Sequence, residues 1–228
     1  MLWNWHVNVE IKVRAIIVNN AIILRSATPA DIERLAHLWV TTFPDKFGPI
    51  MGHKAERIIC DWLRLSERHL QTTVLAEVGG IVAGYIILDT PSAPRADSGR
   101  WLWHALQLHN GIAGALRSFI MMILINNNYR PAAGEVYIEM LGVAPAWRGA
   151  GVGSKLIAHA EAIGQAENAQ RITLNVVCDN EPALKLYQKV GFETTQQKLS
   201  RILRWVTGHS GYYLMVKKLE PSNYSDGV

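Results

Sequence analysis

The stretch that decides the fold reads Leu141-Gly142-Val143-Ala144-Pro145-Ala146-Trp147-Arg148-Gly149-Ala150-Gly151-Val152-Gly153-Ser154. It predicts a strand that ends at Val143, a turn rich in glycine, and a helix that begins near Gly151. Glycines in such a turn let backbone N–H groups come close to an anion, and the N-terminus of a helix favours negative charge. The stretch therefore predicts a pyrophosphate site. The alternative is a tight turn between strand and helix that holds no ligand.

Two common nucleotide-binding motifs do not fit this stretch. The P-loop requires Gly-Lys-Ser/Thr, whereas the order here is Gly153-Ser154-Lys155. The dinucleotide-binding fingerprint requires a third glycine at the position that Ser154 occupies. The spacing that does fit is Arg/Gln-x-x-Gly-x-Gly, which is met by Arg148, Gly151 and Gly153.

A second motif lies downstream, where Asn180 to Phe192 fits the pattern Asn-x-x-Ala-x-x-x-Tyr-x-x-x-Gly-Phe. Together the two motifs resemble those of the GNAT superfamily of N-acetyltransferases. The resemblance is close from Glu135 to Thr194 and looser over 22–88 and 212–219. It does not cover the first twenty residues or the segment 89–134.

The resemblance implies an α/β fold with a mixed, mostly antiparallel central sheet flanked by helices. Local patterns agree, since apolar residues recur at helical spacing between Ile32 and Trp39, and two β-rich runs flank Gly79-Gly80, as in a hairpin. We expect a single GNAT-like domain over 21–219. An N-terminal extension over 1–20 precedes it, and a polar tail over 220–228 follows.

An insertion over about 90–134 separates the third and fourth predicted strands, where the family usually has a short connection. Its apolar residues at helical spacing predict helices, which Gly111 and Gly114 interrupt. We hypothesise that the insertion covers the acceptor pocket or forms the interface of a homodimer. The alternative is a helix pair that only enlarges the core.

The resemblance also implies that acetyl-CoA is the acetyl donor. Its pantetheine arm would pair with the end of the fourth strand at Leu141, Gly142 and Val143, and Asn180 would contact it. The pyrophosphate would be bound at the start of the following helix, by Arg148, Gly149, Ala150, Gly151, Val152, Gly153 and Ser154.

Acetyl transfer to an amine needs a base for the amine and an acid for the leaving sulfur. By resemblance, Tyr187 occupies the position of the acid; the alternative is a core tyrosine on an amphipathic helix. Many relatives carry the base on the fifth strand, where Asn175 cannot take a proton. Because side chains alternate along a strand, Tyr137 and Glu139 share a face. We expect Glu139 to act as the base through a water with help from Tyr137; the alternative is a strand carboxylate paired with a surface lysine.

The amino-acid composition of the chain argues against several classes of protein. The 228 residues are 49% hydrophobic and 18% charged, which argues against disorder. The formal charge of +4 suits an anionic ligand, but without a basic stripe we expect no nucleic-acid partner. Two cysteines predict neither a disulfide framework nor a metal site and favour a cytoplasmic location. The most apolar segment, 101–125, contains residues costly at bilayer depth, so no membrane partner is expected.

The leading interpretation is an acetyl-CoA-dependent N-acetyltransferase that acts on a primary amine of a small molecule or a protein. A coenzyme A-binding sensor or interaction domain without turnover is the alternative, and Asn175 keeps it open. His209 lies in a predicted loop that could line the acceptor site, although a solvated loop histidine is commoner. We assign no role to Cys178 or His159.

Overall fold

The structure is a computed structural model that describes residues 21–93, 98–125, 129 and 131–220. The predicted extension over 1–20 and the tail beyond residue 220 lie outside the described residues. Among the described helices, none combines the length and the apolar character needed to cross a membrane.

One sheet organises the described part of the chain. Its strand order is β1-β2-β3-β4-β5-β7-β6, and every neighbouring pair is antiparallel except β4 and β5, which run parallel. The predicted mixed, mostly antiparallel sheet is therefore confirmed. The strands are β1 Ile23–Ser26, β2 Thr73–Val78, β3 Ile81–Asp89, β4 Glu135–Val143, β5 Arg171–Val177, β6 Glu193–Leu199 and β7 Gly211–Lys218.

Helices cover both faces of this sheet and bury two hydrophobic cores. One core lies between the sheet and the layer formed by α1 to α5 with α8, and the other lies between the sheet and α6 with α7. Because side chains alternate along a strand, Tyr85 and Ile87 of β3 enter the first core while Ile86 and Leu88 enter the second. The helices are α1 Ile32–Thr42, α2 Pro44–Met51, α3 Ala55–Leu65, α4 Glu67–Gln71, α5 Ser98–Ile125, α6 Val152–Ala166, α7 Glu181–Lys189 and α8 Arg201–Thr207.

The insertion between β3 and β4 is helical, as predicted. Its helix α5 is kinked at Gly111, whose φ of 65° and ψ of 178° interrupt the helical backbone. Positive φ is easily adopted by glycine, so the residue that the sequence marked as an interruption allows the kink. The second half of α5 rests on α2, where the Ser118 hydroxyl donates to the carbonyl of Ile50 at 2.7 Å.

A β-bulge in β4 changes which layer its side chains enter. Ile138 pairs with Leu88 of β3, whereas the next pair joins Met140 to Ile87, so Glu139 is an extra residue in β4. Ile138 consequently packs in the core under α6 and α7, while Met140 packs in the core under α1 to α5. Bulges redirect side chains in this way.

The parallel strands β4 and β5 separate halfway along their length. They pair from Glu135 with Arg171 to Ile138 with Leu174, and no further. Beyond that point β4 continues to pair with β3 as far as Val143, and β5 continues to pair with β7 as far as Val177. The divergence opens a gap through the middle of the sheet.

Candidate active site

A cavity of about 500 Å³ lies at the gap between β4 and β5. Leu141 and Tyr187, from the core under α6 and α7, line it together with Lys46 and Met140 from the opposite side of the sheet. The cavity therefore connects the two faces of the sheet, so that two molecules can approach each other from opposite sides.

The turn after β4 presents an open backbone surface. Gly149 and Gly151 have φ values of 76° and 81°, a region that L side chains rarely adopt, and a Cβ added to either would have no atom within 4 Å. The first backbone bond of α6 runs from the N–H of Lys155 to the carbonyl of Gly151. The N–H groups of residues 151–154 therefore have no partner within the helix and point out of its N-terminus.

The other residues predicted to bind the pyrophosphate differ in their exposure and contacts. The N–H of Ala150 is directed at the carbonyl of Trp147 at 3.4 Å, and the Val152 side chain is buried in the core. Ser154 is half-buried in the first turn of α6. Arg148 is exposed, and its Nε lies 3.4 Å from the carbonyl oxygen of Val143 at the end of β4.

At two of the glycines predicted to bind the cofactor, close packing also requires that no side chain be present. A Cβ on Gly153 would lie 2.9 Å from Cδ2 of Leu186, where α6 meets α7. A Cβ on Gly142 would lie 2.5 Å from Cε1 of Tyr85. The absence of a side chain at these two positions lets α6 approach α7 and lets β4 lie against the Tyr85 ring.

Asn180 and Tyr187 lie at opposite ends of α7, and both line the cavity. Asn180 is the N-cap residue, and its Oδ1 accepts the backbone N–H of Ala183 at 3.2 Å. Tyr187 is 7% exposed, and burial together with the nearby Tyr137 raises the pKa of its phenol well above the ordinary value. The Tyr187 hydroxyl is therefore held protonated at the cavity wall.

Glu139 lines the cavity from the bulge of β4 and is paired with an arginine rather than with a lysine. Its Oε2 lies 3.1 Å from the guanidinium of Arg68, which also pairs with Asp89 at 3.1 Å, and its Oε1 lies 3.9 Å from Nε2 of the buried His69. Burial lowers the pKa of Lys46, and the nearby Glu139 carboxylate opposes that shift.

Tyr137 does not itself line the cavity. Its side chain is 9% exposed and its ring is tilted by 32° against the ring of Tyr129, with the centroids 4.9 Å apart. Nδ2 of Asn175 donates to the Tyr137 hydroxyl at 3.2 Å, and it is Asn175 that lines the cavity. Tyr137 thus lies next to Asn175. Glu139 lies farther along β4, in the part that no longer pairs with β5.

His209, which the sequence placed in a loop that could line the acceptor site, lines the cavity. Its Nδ1 lies 3.0 Å from both carboxylate oxygens of Asp179, and its Nε2 lies 3.6 Å from Oδ2 of Asp45. Desolvation acts to raise the pKa of Asp179, but the hydrogen bond from His209 outweighs it and holds that pKa below its ordinary value. The Asp179 carboxylate therefore fixes the orientation of the His209 ring, an arrangement that suits a residue in acid–base chemistry.

The family model of the acetyltransferase (GNAT) family matches residues 32–192, which is more than half of the chain. The chain belongs to the GNAT family. The expectation of a GNAT-like fold is confirmed, and members of this family are acetyltransferases that use acetyl-CoA as the acetyl donor.

Known GNAT proteins resemble the chain over different lengths. The mycothiol acetyltransferase of Corynebacterium aurimucosum is 36% identical over 67 residues, which are 29% of this chain and 21% of that protein. N-alpha-acetyltransferase 40 of Saccharomyces cerevisiae is 30% identical over 95 residues, or 36% of this chain and 33% of that protein. The chain thus spans less than two thirds of either relative. An N-acetyltransferase structure from Staphylococcus aureus Mu50 has the same fold, with a TM-score of 0.61 and 23% identity over 85% of this chain and 99% of that one.

The GNAT donor fits the residues that are present. Gly149 and Gly151 leave open space above the start of α6, where backbone N–H groups would face the pyrophosphate of a bound donor. The edge of β4 beyond Ile138 faces the gap rather than another strand, so its backbone is available to the pantetheine arm. Acetyl-CoA, when bound, supplies the acetyl group and a thiolate leaving group.

Substitutions of Asn180 separate its capping role from a role in donor binding. We expect Asn180→Ala to destabilise the protein by about 1 kcal/mol through loss of the cap and to raise the KM for acetyl-CoA. Asn180→Asp keeps a capping oxygen but no amide donor, so its stability should match the wild type while its KM stays raised. Urea unfolding and steady-state kinetics measure the two effects. If Asn180→Asp has the wild-type KM, Asn180 serves only as the helix cap and does not bind the donor.

Proposed function

We propose that this GNAT protein transfers an acetyl group from acetyl-CoA to a primary amine of a small molecule or a protein. The observation that carries the proposal is the cavity that crosses the sheet. Tyr187 lines it from α7, and three carboxylates, those of Asp45, Glu139 and Asp179, line it as well. Carboxylates attract an ammonium group, which suits an acceptor that arrives protonated.

Tyr187 acts as the general acid in this proposal. Burial keeps its phenol protonated, and among the described residues its hydroxyl makes no hydrogen bond that would have to break before it gives up the proton. A protonated donor at the cavity wall supports departure of the thiolate. Phe192 supports the ring at an edge-to-face angle, with the centroids 5.8 Å apart.

Glu139 acts as the base through a water, with Tyr137 and Asn175 as the polar groups beside it. Its ion pair with Arg68 fixes the carboxylate at the cavity. His209, oriented by Asp179, is a second candidate base in the same cavity. The two candidates predict different responses to substitution.

A pair of glutamine variants identifies the base. If Glu139 is the base, Glu139→Gln lowers kcat/KM by about a hundredfold and flattens the rise of kcat/KM with pH, because the base must lose a proton to act. Under the same proposal His209→Gln keeps that rise. A profile of kcat/KM against pH for both variants makes the measurement.

Matched controls exclude a loss of activity through broken ion pairs. Glu161→Gln breaks the 2.7 Å pair with Lys217, and His109→Gln breaks the 2.7 Å pair with Asp61. Neither Glu161 nor His109 lines the cavity. Both controls should retain the wild-type profile. A flattened profile in His209→Gln, together with a normal one in Glu139→Gln, would transfer the role to His209.

A coenzyme A-binding domain without turnover is the competing function, and Asn175 at the usual position of the fifth-strand base is the observation that favours it. Release of free thiol from acetyl-CoA in the presence of an amine separates the two functions. A peptide with a free N-terminal α-amine and a small-molecule amine are the first acceptors to assay, since the relatives are named as an N-alpha-acetyltransferase and a mycothiol acetyltransferase. Tight acetyl-CoA binding with no acetylated product across an amine panel would favour the binding domain.

A further inference from the structure

The second half of α5 exposes an apolar helix face. Ile112, Leu116 and Ile120 follow each other at intervals of four residues, and Ile123 and Leu124 extend the same side of the helix. The opposite side of the helix is inserted into the protein, where Ala115 and Ser118 are buried. The helix is therefore apolar on the side that the described residues leave uncovered.

Helix α8 packs against α5 and enlarges this exposed region. Its inner residues Leu203 and Val206 are buried, while Ile202 and Trp205 are exposed. We call the combined region the apolar face. Its members are between 44% and 82% exposed: Ile112, Leu116, Ile120, Ile123, Leu124, Ile202 and Trp205. Seven large apolar side chains exposed on two helices that contact each other indicate an interaction surface.

The charges of these two helices are all of one sign. Neither α5 nor α8 contains an aspartate or a glutamate, whereas Arg117 of α5 and Arg201 and Arg204 of α8 are exposed. Within the described ranges no carboxylate lies at ion-pair distance from any of these three guanidinium groups. The two helices that carry the apolar face thus present three exposed cations that have no acidic partner among the described residues.

We propose that the apolar face docks on an anionic lipid surface. Its aliphatic side chains would enter the boundary between headgroups and acyl chains, Trp205 suits that boundary, and the three arginines would pair with lipid phosphates. A second copy of the chain is a poorer occupant, because the same face would meet itself across a two-fold axis and oppose arginine to arginine. We expected no membrane partner because the most apolar segment contains residues that are costly at bilayer depth, which argues against a spanning helix. Docking at the lipid interface does not require a spanning helix.

The position of α8 relates this docking to the cavity. Leu203 and Thr207 of α8 line the cavity near His209, whereas Ile202 and Trp205 of the same helix belong to the apolar face. Docking would therefore hold the acceptor cavity close to the lipid surface. The proposal itself does not depend on acetyl transfer, since it concerns binding alone.

Flotation of the full chain with lipid vesicles tests the proposal. We expect the protein to float with vesicles of phosphatidylcholine and phosphatidylglycerol in equal parts and to remain unbound with phosphatidylcholine alone. Arg117→Gln combined with Arg204→Gln should weaken binding to the anionic vesicles by about tenfold or more. Leu116→Glu combined with Ile120→Glu should abolish it.

Ile81→Glu is the matched control, because Ile81 is 51% exposed on β3, outside the apolar face. It should bind anionic vesicles like the wild type, and circular dichroism should show that every variant is folded. Light scattering measures the oligomeric state of the same samples. Failure of the wild-type protein to bind anionic vesicles would overturn the proposal, and a dimer that Leu116→Glu with Ile120→Glu dissociates would assign the face to a second copy instead.

Discussion

Tyr187→Phe is expected to lower kcat by about a thousandfold while acetyl-CoA still binds. The substitution removes only the hydroxyl, and the ring keeps its contact with Phe192 and its place in the core under α6 and α7. Because burial holds the phenol protonated, the wild-type residue is in the acid form at neutral pH, and phenylalanine has no proton to supply. Steady-state kinetics with a competent amine and calorimetric titration with acetyl-CoA measure the two quantities.

Tyr213→Phe is the control for this substitution. Tyr213 also packs partly buried against the same core but does not line the cavity, so its variant should keep the wild-type kcat. If Tyr187→Phe retained most of its kcat, Tyr187 would be a core tyrosine that happens to face the cavity. If it lost acetyl-CoA binding together with kcat, its role would lie in holding the donor rather than in proton transfer.

The parts of the fold that could be predicted are those in which local sequence and tertiary environment agree. Strand β4 ends at Val143, as predicted, because it is a run of β-forming residues that is largely buried in the sheet. The turn at Gly149 and Gly151 could be predicted because only glycine adopts its positive φ readily. The same turn carries the predicted donor site, so that prediction rests on local sequence and stays a prediction.

Elements held by distant contacts could not be predicted in the same way. Strand β6 is exposed along its whole length and polar at most positions, so it has no hydrophobic alternation; it is a strand because it pairs with β7. Helix α8 follows it without a long apolar period, and α2 contains Pro49 in its interior. The backbone leaves the helical region at Ser66, which separates α3 from α4.

The acceptor half of the site shows the same limit. The bulge that delivers Glu139 to Arg68 depends on the register between β3 and β4, which no local pattern reports. His209 reaches Asp179 only because α8 ends at Gly208, where a φ of 85° turns the chain back towards the end of β5. Thirty sequence positions separate the two residues, and Asp45 joins them from α2. The cluster exists only in the folded chain.

Gly151→Glu is expected to weaken acetyl-CoA binding by at least about a hundredfold. The substitution places a carboxylate in the open space at the start of α6, where the free N–H groups would otherwise face the donor's pyrophosphate, and the two anions repel. Calorimetric titration of wild type and variant measures the change. This comparison decides whether the turn binds the donor, as predicted.

The control must reproduce the backbone strain of a glutamate at positive φ without touching the donor site. Gly80 meets that requirement, because its φ is 76°, an added Cβ would have no atom within 4 Å, and it lies in the turn between β2 and β3. Gly80→Glu should lose a similar amount of stability, about 1 to 2 kcal/mol, and keep its affinity for acetyl-CoA. Equal loss of affinity in both variants would trace the effect to global destabilisation. Unchanged affinity in a folded Gly151→Glu would show that the turn only joins a strand to a helix.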